Sequence, residues 1–244
     1  MVNEALKADL LKLGLKSDDT ILMHSSLSSL GYVEGGAETV IDTLLDILWD
    51  GTLLVPALSY AYTRTSKVFS IKDTKSCVGA ISEYFRTREG TIRSMHPTHS
   101  VCGVGKYAEE ILKQHAQTDT LLGSKSPFAL LPAYDGKILM LGCGLRPNTS
   151  MHGVEELSKP WYLLKEEMDE FQLIDENGNV THKKYYCHNF AGVAQRYDRL
   201  SNVMEIPSGK VLASTSYLIP AKEMWETADQ KIREKEEYFV ERRG

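Results

Sequence analysis

Apolar residues recur along the first two thirds of the chain at spacings that alternate between helix and strand periodicity. In residues 3–13, Leu6, Leu10 and Leu13 share one helical face, and Gly14 follows as a helix stop. The same reasoning predicts helices over 37–49, 78–88 and 106–115, and strands over 20–24, 52–58, 100–104 and 137–141. This alternation predicts an α/β fold, with helices on both faces of a sheet.

The last third of the chain has a different pattern, in which two strands flank a turn. Residues 171–175 and 180–186 lie on either side of Glu176-Asn177-Gly178-Asn179, and Asn-Gly between alternating strands is a strong hairpin signal. Antiparallel pairing here makes the predicted sheet mixed. A further strand is predicted over 211–218, and Pro220 is expected to open a long polar C-terminal helix.

The composition is that of a globular protein, with 42% hydrophobic and 25% charged residues in 244. No internal repeat or low-complexity tract interrupts it, so a single domain over 1–244 is predicted. The formal net charge of −5 gives no electrostatic reason to expect nucleic acid or an anionic membrane as a partner.

The N-terminus and the cysteines favour a cytoplasmic location. Residues 1–15 carry acidic side chains and lack the basic and apolar regions of a signal peptide. No apolar run approaches the roughly 18 residues that a membrane span needs. Four scattered cysteines show no CxxC spacing, so neither a disulfide scaffold nor a zinc knuckle is indicated; they are Cys77, Cys102, Cys143 and Cys187.

A candidate catalytic histidine follows the predicted strand 137–141. Polar residues 148–150 can cap a helix, which places His152 in its first turn. Spacings of three and four residues put Glu155 and Glu156 on the same side of that helix. Gly153 removes a side chain beside the imidazole, which is expected to leave room for a substrate. Loops beyond the carboxyl ends of strands bind ligands in open α/β sheets.

Two opposed effects act on the pKa of His152. A helix N-terminus disfavours the imidazolium, whereas a nearby carboxylate favours it. Their partial cancellation predicts a base near neutrality, where a proton acceptor works best. A histidine that makes only a structural hydrogen bond is the alternative.

Two other polar stretches have several interpretations. His96 and His99 flank Pro97, and with His152 and Glu155 they could form a zinc site, although Pro97 breaks the helix that normally presents such a pair. The alternatives are a loop that presents backbone N–H groups and hydroxyls to a ligand, which is favoured over the metal site, and a purely structural loop. The hydroxyl-rich segment 24–29 follows the first predicted strand, and the segment 123–128 precedes a helix opened by Pro127. Helix starts of this kind can bind phosphate, but as isolated patterns the two segments are better explained by polar turns and caps.

Together these segments resemble the aminoglycoside 3-N-acetyltransferase family, in the same order along nearly the whole chain. The resemblance is carried by HSSLSSLGYVEGGAETVIDTLL (24–45), RSMHPTHSV (93–101), GSKSPF (123–128), GKILMLG (136–142), NTSMHGVEE (148–156) and GKVLASTSYLIPA (209–221). It implies a three-layer α/β/α sandwich with a mixed β-sheet and acetyl-CoA, or another acyl-CoA, as co-substrate without a metal.

The resemblance also implies roles for individual residues. His152 matches the catalytic histidine and Glu155 the acid that pairs with it. The positions that match the coenzyme A tunnel are Ser25, Ser26, Leu27, Ser28, His99, Ser100, Val101, Ser124, Ser126 and Phe128. In the implied reaction His152 takes a proton from the amine as its nitrogen attacks the thioester, in a ternary complex without an acyl-enzyme.

The acceptor site departs from the family pattern. Where related enzymes can carry Asp-Tyr-Asp, this chain has Tyr185-Tyr186-Cys187-His188-Asn189. Glu156, Tyr186 and His188 are the candidate acceptor-binding residues. The resemblance implies acetyl transfer to an amine of an aminoglycoside-type amino sugar. One alternative is an N-acyltransferase that acts on an amino sugar linked to a nucleotide in surface polysaccharide biosynthesis. The others are a metal-dependent hydrolase that uses His96, His99 and His152, and a non-catalytic module that binds coenzyme A.

Overall fold

Strands and helices alternate along most of the chain in the computed structural model, which describes residues 1–243. The strands are β1 (Thr20–Ser25), β2 (Thr52–Pro56), β3 (Val68–Ser70), β4 (Ile92–Arg93), β5 (Val101–Gly105), β6 (Lys137–Leu141), β7 (Leu164–Ile174), β8 (Val180–His188), β9 (Val193–Gln195), β10 (Ser208–Val211), β11 (Ser214–Pro220) and β12 (Val240–Arg242). The α-helices are α1 (Glu4–Leu13), α2 (Gly36–Ile47), α3 (Tyr60–Ser66), α4 (Ala80–Thr87), α5 (Ala108–Lys113), α6 (Pro127–Leu130), α7 (Ser150–Ser158) and α8 (Ala221–Glu234).

A mixed seven-stranded sheet with the order β10-β11-β6-β1-β2-β5-β4 forms the centre of the fold. β1 pairs in parallel with both β2 and β6, and the other neighbours pair antiparallel. In the β1–β6 register, His24 lies opposite Met140 and Ser25 opposite Leu141. The loops that follow β1 and β6 therefore leave the sheet side by side.

The sheet buries apolar side chains on both faces because alternate residues of each strand point in opposite directions. On β1, Ile21 and Met23 pack in the core that includes Leu10 of α1 and Leu44 of α2. Leu22 belongs to the opposite core, which contains residues of α5, α6, α7 and α8. The predicted three-layer α/β/α sandwich with a mixed sheet is confirmed.

Local capping explains where α1 begins and ends. The Oδ1 atom of Asn3 accepts a hydrogen bond from the backbone N–H of Leu6 (2.9 Å). At the other end, Gly14 takes the left-handed conformation with φ of 110° and donates its N–H to the last turn. These are the start and stop that the sequence predicts for this helix.

The predicted Asn-Gly hairpin joins β7 to β8. Gly178 has φ of 82°, and the Asp175 carboxylate accepts the backbone N–H groups of Asn177 and Asn179. β7 begins at Leu164, seven residues before the predicted strand, and its additional residues are mostly polar. β3, β7 and β8 form a separate three-stranded sheet, so the expectation that this hairpin makes the main sheet mixed is wrong. The main sheet is mixed because β5 and β11 pair antiparallel to its parallel centre.

The strand predicted over 211–218 corresponds to β11, which begins three residues later, at Ser214, and β10 before it was not predicted. β10 and β11 are joined by a turn in which Leu212 has φ of 50°. The backbone N–H of Leu212 bonds the Asp9 carboxylate of α1 (2.8 Å), which holds this conformation. The turn between β10 and β11 is stabilised by a residue about 200 positions earlier in the chain. Strand periodicity alone therefore does not predict where the turn lies.

The longest α-helix in residues 1–243 is α8, and its exposed face is polar. Within these residues, no helix has both the length and the apolar character to cross a bilayer. The single-domain organisation over 1–244 stays a prediction.

Candidate active site

A cavity of about 660 Å³ lies at the carboxyl ends of β1 and β2, beside the loop that follows β6. This is the position at which open α/β sheets bind ligands. Side chains from loops, from α3 and α7 and from the region around β9 meet in its wall. The polar and aromatic ones include His24, Tyr60, Arg64, His99, Cys143, Arg146, His152, His188, Phe190, Gln195 and Tyr197.

His152 lies in the first turn of α7, as predicted, and its ring forms part of the cavity wall. The Asn148 side chain accepts a hydrogen bond from the backbone N–H of Ser150 (3.2 Å) and so caps the helix. Thr149 makes no side-chain cap bond. The imidazole is 14% exposed, which leaves it accessible from the cavity.

The Glu155 carboxylate lies behind His152 and is fully buried. Its Oε2 atom is 3.1 Å from Nδ1 of His152 and also accepts the hydroxyl of Tyr197 at 2.8 Å. Its Oε1 atom accepts the hydroxyl of Tyr162 at 3.1 Å. Burial raises the pKa of Tyr197 well above its usual value, so its hydroxyl keeps its proton and donates to Glu155. Each oxygen of the buried carboxylate therefore has a donor.

These contacts favour one tautomer of the His152 ring, in which the Tyr197 hydroxyl donates to Glu155 and accepts from Nδ1 of His152 (2.6 Å). A proton on Nδ1 satisfies Glu155, and Nε2 is then the unprotonated nitrogen. Nε2 makes no hydrogen bond within residues 1–243. An imidazole in this tautomer can take a proton from a group bound in the cavity.

Three further histidines line the same cavity. The ring centroid of His188 is 4.6 Å from that of His152 and 5.2 Å from that of His99. Burial lowers the pKa of His24 to about 3 and the pKa values of His99 and His188 well below the usual value. These three rings are therefore neutral at physiological pH. The Nε2 atoms of His24 and His188 are buried and have no partner within residues 1–243.

The His-x-x-His segment is held by its own backbone. Nδ1 of His96 accepts the N–H groups of Thr98 (3.3 Å) and His99 (3.0 Å), so its other nitrogen donates to the carbonyl of Thr120. Both nitrogens of His96 are thus occupied by backbone groups. Within the described residues, no cluster of three or more histidine, cysteine or acidic side chains has the arrangement of a metal site.

Ser25, Ser26, Leu27 and Ser28 line a second cavity of about 410 Å³, opposite the first turn of α4 at Gly79–Ile81. Ser25 also lines the first cavity, where Val78 and Ser82 flank the same turn. The two cavities therefore adjoin. Of the other predicted coenzyme residues, His99 lies in the first cavity.

The remaining predicted coenzyme residues lie outside both cavity walls. The Ser100 hydroxyl donates to the carbonyl of Ala57, and the Ser126 hydroxyl caps α6. Phe128 is buried in the core, Val101 is buried in β5, and Ser124 is exposed in a turn. Their contact with coenzyme A stays a prediction.

Among the candidate acceptor-binding residues, His188 lines the cavity, whereas Glu156 and Tyr186 do not. The Glu156 carboxylate accepts the Thr120 hydroxyl (2.6 Å) and the Leu122 N–H (2.8 Å), which ties α7 to the loop before α6. Tyr186 lies on β8, and its side chain is not part of the cavity wall. Acceptor binding by all three stays a prediction.

The expected space beside Gly153 is occupied by protein. A Cβ atom at this position would lie 2.7 Å from the indole ring of Trp225 in α8. Gly153 therefore permits the close packing of α7 against α8, and the expectation that it leaves room for a substrate is wrong.

Several residues of the site escape the sequence-based reasoning. Distant segments supply Tyr197, Phe190 and Gln195 to the cavity wall and Tyr162 to the Glu155 carboxylate, and no local pattern marks them. Arg146 is different, because it follows β6 in the loop that leads to His152. The rule that ligands bind in such loops would have included it.

The chain is similar to known proteins in sequence and in fold. The profile of a family described as aminoglycoside 3-N-acetyltransferase matches residues 22–233. Aminoglycoside N(3)-acetyltransferase VII of Streptomyces paromomycinus is 33% identical over 172 residues, which cover 63% of this chain and 59% of the relative. The crystal structure of aminoglycoside acetyltransferase AAC(3)-Xa has a TM-score of 0.81 and 26% identity, and the match covers 95% of this chain and 92% of that one.

A second solved structure, AAC-IIIb in a binary complex with CoASH, is 25% identical with a TM-score of 0.80, over 96% of this chain and 97% of that one. The chain spans about three fifths of the length of the first curated relatives it matches (59% and 61%). The family profile nevertheless covers most of the chain, including both cavities and the His152–Glu155 pair. The chain belongs to the aminoglycoside 3-N-acetyltransferase family.

Proposed function

We propose that the chain transfers an acetyl group from acetyl-CoA to an amino group of an aminoglycoside-type amino sugar, with His152 as the general base. One observation carries the proposal: His152 forms part of a cavity wall while the buried Glu155 holds its Nδ1. The names of the relatives, which are aminoglycoside N-acetyltransferases, support the reaction class and the acceptor class.

The proton balance gives His152 a defined part in this reaction. A protonated amine loses one proton to solvent before it can act as a nucleophile. As its nitrogen attacks the thioester carbonyl, Nε2 of His152 accepts a second proton, and the C–N bond forms. Collapse of the tetrahedral intermediate breaks the C–S bond, and the imidazolium returns the proton to the thiolate. Glu155 stabilises the transient imidazolium.

The second cavity supports a place for the coenzyme. Serine hydroxyls and the first turn of α4 surround it, and backbone N–H groups of a helix start favour phosphate. A pantetheine arm that passes Ser25 would bring the thioester into the first cavity, beside His152. The amine would then enter from the side of Arg146 and Phe190.

The test is thiol release from acetyl-CoA by the purified protein, with glucosamine, glucosamine 6-phosphate and gentamicin as amines. We expect amine-dependent release, and we expect His152→Ala to lower kcat/KM by at least about a hundredfold. The affinity for CoA should stay within about twofold. His182→Ala, which replaces an exposed histidine of β8, is the matched control.

Two results would overturn the proposal. Activity of His152→Ala within a few-fold of the parent would place the base elsewhere. Ping-pong kinetics with a trapped acyl-enzyme would exclude direct attack in a ternary complex.

A further inference from the structure

The charged side chains on the wall of the first cavity, apart from its histidines, are two arginines. Arg64 comes from α3 and Arg146 from the loop after β6. Among the described residues, no aspartate or glutamate lines this cavity. A polycationic acceptor would therefore place several ammonium groups near two guanidinium groups, without carboxylates to offset the repulsion.

The nearest carboxylates are already engaged. Glu155 is fully buried behind His152 and bonds two tyrosine hydroxyls. Glu156 accepts hydrogen bonds from the loop before α6. Asp198, on the Arg146 side, pairs with Arg196, whose guanidinium lowers the pKa of that carboxyl. None of these three carboxylates lines the cavity, although the charge of Arg146 also helps to lower the pKa of Asp198.

The two guanidinium groups are oriented but retain unused donors. The Arg64 guanidinium lies over the ring of Tyr60, 5.1 Å from its centroid. The Nε atom of Arg146 donates to the carbonyl of Gln195 at 2.9 Å, and its terminal nitrogens have no partner within residues 1–243. Neither arginine forms an ion pair with a described residue. A planar fork held in this way is suited to a phosphate or a carboxylate.

We propose that the preferred acceptor is an amino sugar that carries an anionic group, and that Arg64 and Arg146 bind this group. The inference rests on the acetyl transfer of the proposed function, and it departs from that proposal in the acceptor, which carries an anionic group and is not a polycationic aminoglycoside. A phosphate on the sugar, as a monophosphate or as the diphosphate of a nucleotide-linked sugar, has the chemistry that a guanidinium fork recognises. The amine then lies toward His152 and the anion toward the arginines.

Glucosamine and glucosamine 6-phosphate form the matched pair for the test, because they differ only in the phosphate. We expect kcat/KM for the phosphorylated amine to exceed that for glucosamine by at least about tenfold. In Arg146→Gln and Arg64→Gln this ratio should fall toward one. Arg233→Gln, which changes an exposed arginine of α8, should preserve the ratio.

Coenzyme A also carries phosphates, so the affinity for CoA is measured for each variant by calorimetry. Variants that lose CoA affinity tenfold while the ratio persists would assign the arginines to the coenzyme and overturn the inference. A preference for glucosamine or gentamicin would overturn it too, while leaving the proposed function intact. If no amine releases thiol, the proposed function fails. The affinities for glucosamine and glucosamine 6-phosphate then test the anion site by themselves, and equal affinities would overturn it.

Discussion

The hydroxyl oxygen of Tyr197 lies 2.6 Å from Nδ1 of His152. It also lies 2.8 Å from Oε2 of Glu155, which is itself 3.1 Å from the same nitrogen. The three groups therefore form a closed triangle of hydrogen-bonding atoms behind the imidazole. Tyr197 fixes the orientation of the carboxylate and of the ring, and it acts as a positioning residue.

Removal of the Tyr197 hydroxyl should weaken catalysis without changing the chemistry. Tyr197→Phe leaves Oε2 of the buried Glu155 with one donor fewer, which costs about 1–3 kcal/mol. We expect kcat to fall about tenfold while KM for acetyl-CoA stays within twofold. A changed pH profile of kcat would separate this effect from loss of folded protein. Tyr134→Phe, remote from the cavity, is the control.

Glu155→Gln should have a larger effect than Tyr197→Phe. An amide cannot stabilise an imidazolium as a carboxylate does, and its NH₂ group would face the donors of Tyr162, Tyr197 or His152. We expect kcat to fall about a hundredfold, at an unchanged affinity for CoA. Steady-state kinetics and calorimetry measure the two quantities. A kcat within threefold of the parent would show that Glu155 does not assist the base.

The sequence reveals those features that depend on neighbouring residues. Periodicity predicts α1 and five of the seven strands of the main sheet, because burial of one helical face or of alternate strand residues repeats locally. The short strands β4 and β10 are too brief to show it. The pairing of His152 with Glu155 follows from a spacing of three residues on one helix.

Features that depend on distant segments were not predicted. Tyr197 reaches His152 across 45 positions of the chain. The first half of β7 lacks an apolar pattern because much of it is exposed, and its pairing with β8 defines it as a strand. The sequence around Gly153 does not show that its open side is filled, because the indole ring that packs there belongs to Trp225 of α8. No local rule contains these contacts.

Stability should fall at mildly acidic pH because the interior contains neutral histidines. Burial lowers the pKa values of His24 and His115 to about 3, and those of His96, His99 and His188 well below the usual value. An unfolded histidine has a pKa of about 6.5, so the unfolded chain binds more protons below this pH. The stability that the neutral histidines contribute is fully present above pH 6.5, and it is lost as the pH falls toward their pKa values in the folded protein.

Urea unfolding between pH 8 and pH 5 measures this dependence. Each of the five histidines lowers the free energy of unfolding by up to about 1.4 kcal/mol per pH unit below 6.5. These five histidines together should take up nearly five protons per molecule when the chain unfolds near pH 5.5. His182→Gln, at an exposed position, should leave the slope unchanged. A free energy of unfolding that is constant from pH 7.5 to 5.5 would contradict the neutral-histidine interior.

Gly153→Ala should destabilise the contact between α7 and α8. The added methyl group would meet the outer ring of Trp225 at 2.7 Å, and overpacking of this kind costs about 1–3 kcal/mol. Trp225→Phe removes the atoms that clash, so the double variant should be more stable than the sum of the single effects implies. Thermal unfolding of the four proteins measures the coupling, and strict additivity would argue against the clash.

Filling the second cavity should affect the coenzyme alone. Ala80 is exposed at the start of α4, so Ala80→Trp can place its indole in the cavity beside Ser26 without disturbing the core. We expect KM for acetyl-CoA to rise at least tenfold, with KM for the amine nearly unchanged. Ala116→Trp, at another exposed position, is the control. An unchanged KM for acetyl-CoA would mean that the coenzyme passes elsewhere.

The parallel pairing of β1 with β6 has a consequence for how this fold can diversify. The serine-rich loop leaves β1 after Ser25, and the segment that leads to His152 leaves β6 opposite it, after Leu141. The pairing of two adjacent core strands therefore fixes the relative position of these two segments. The walls contributed by residues 188–195 are attached elsewhere, so under the proposed function substitutions there can alter acceptor preference while the positions of the other two segments are retained.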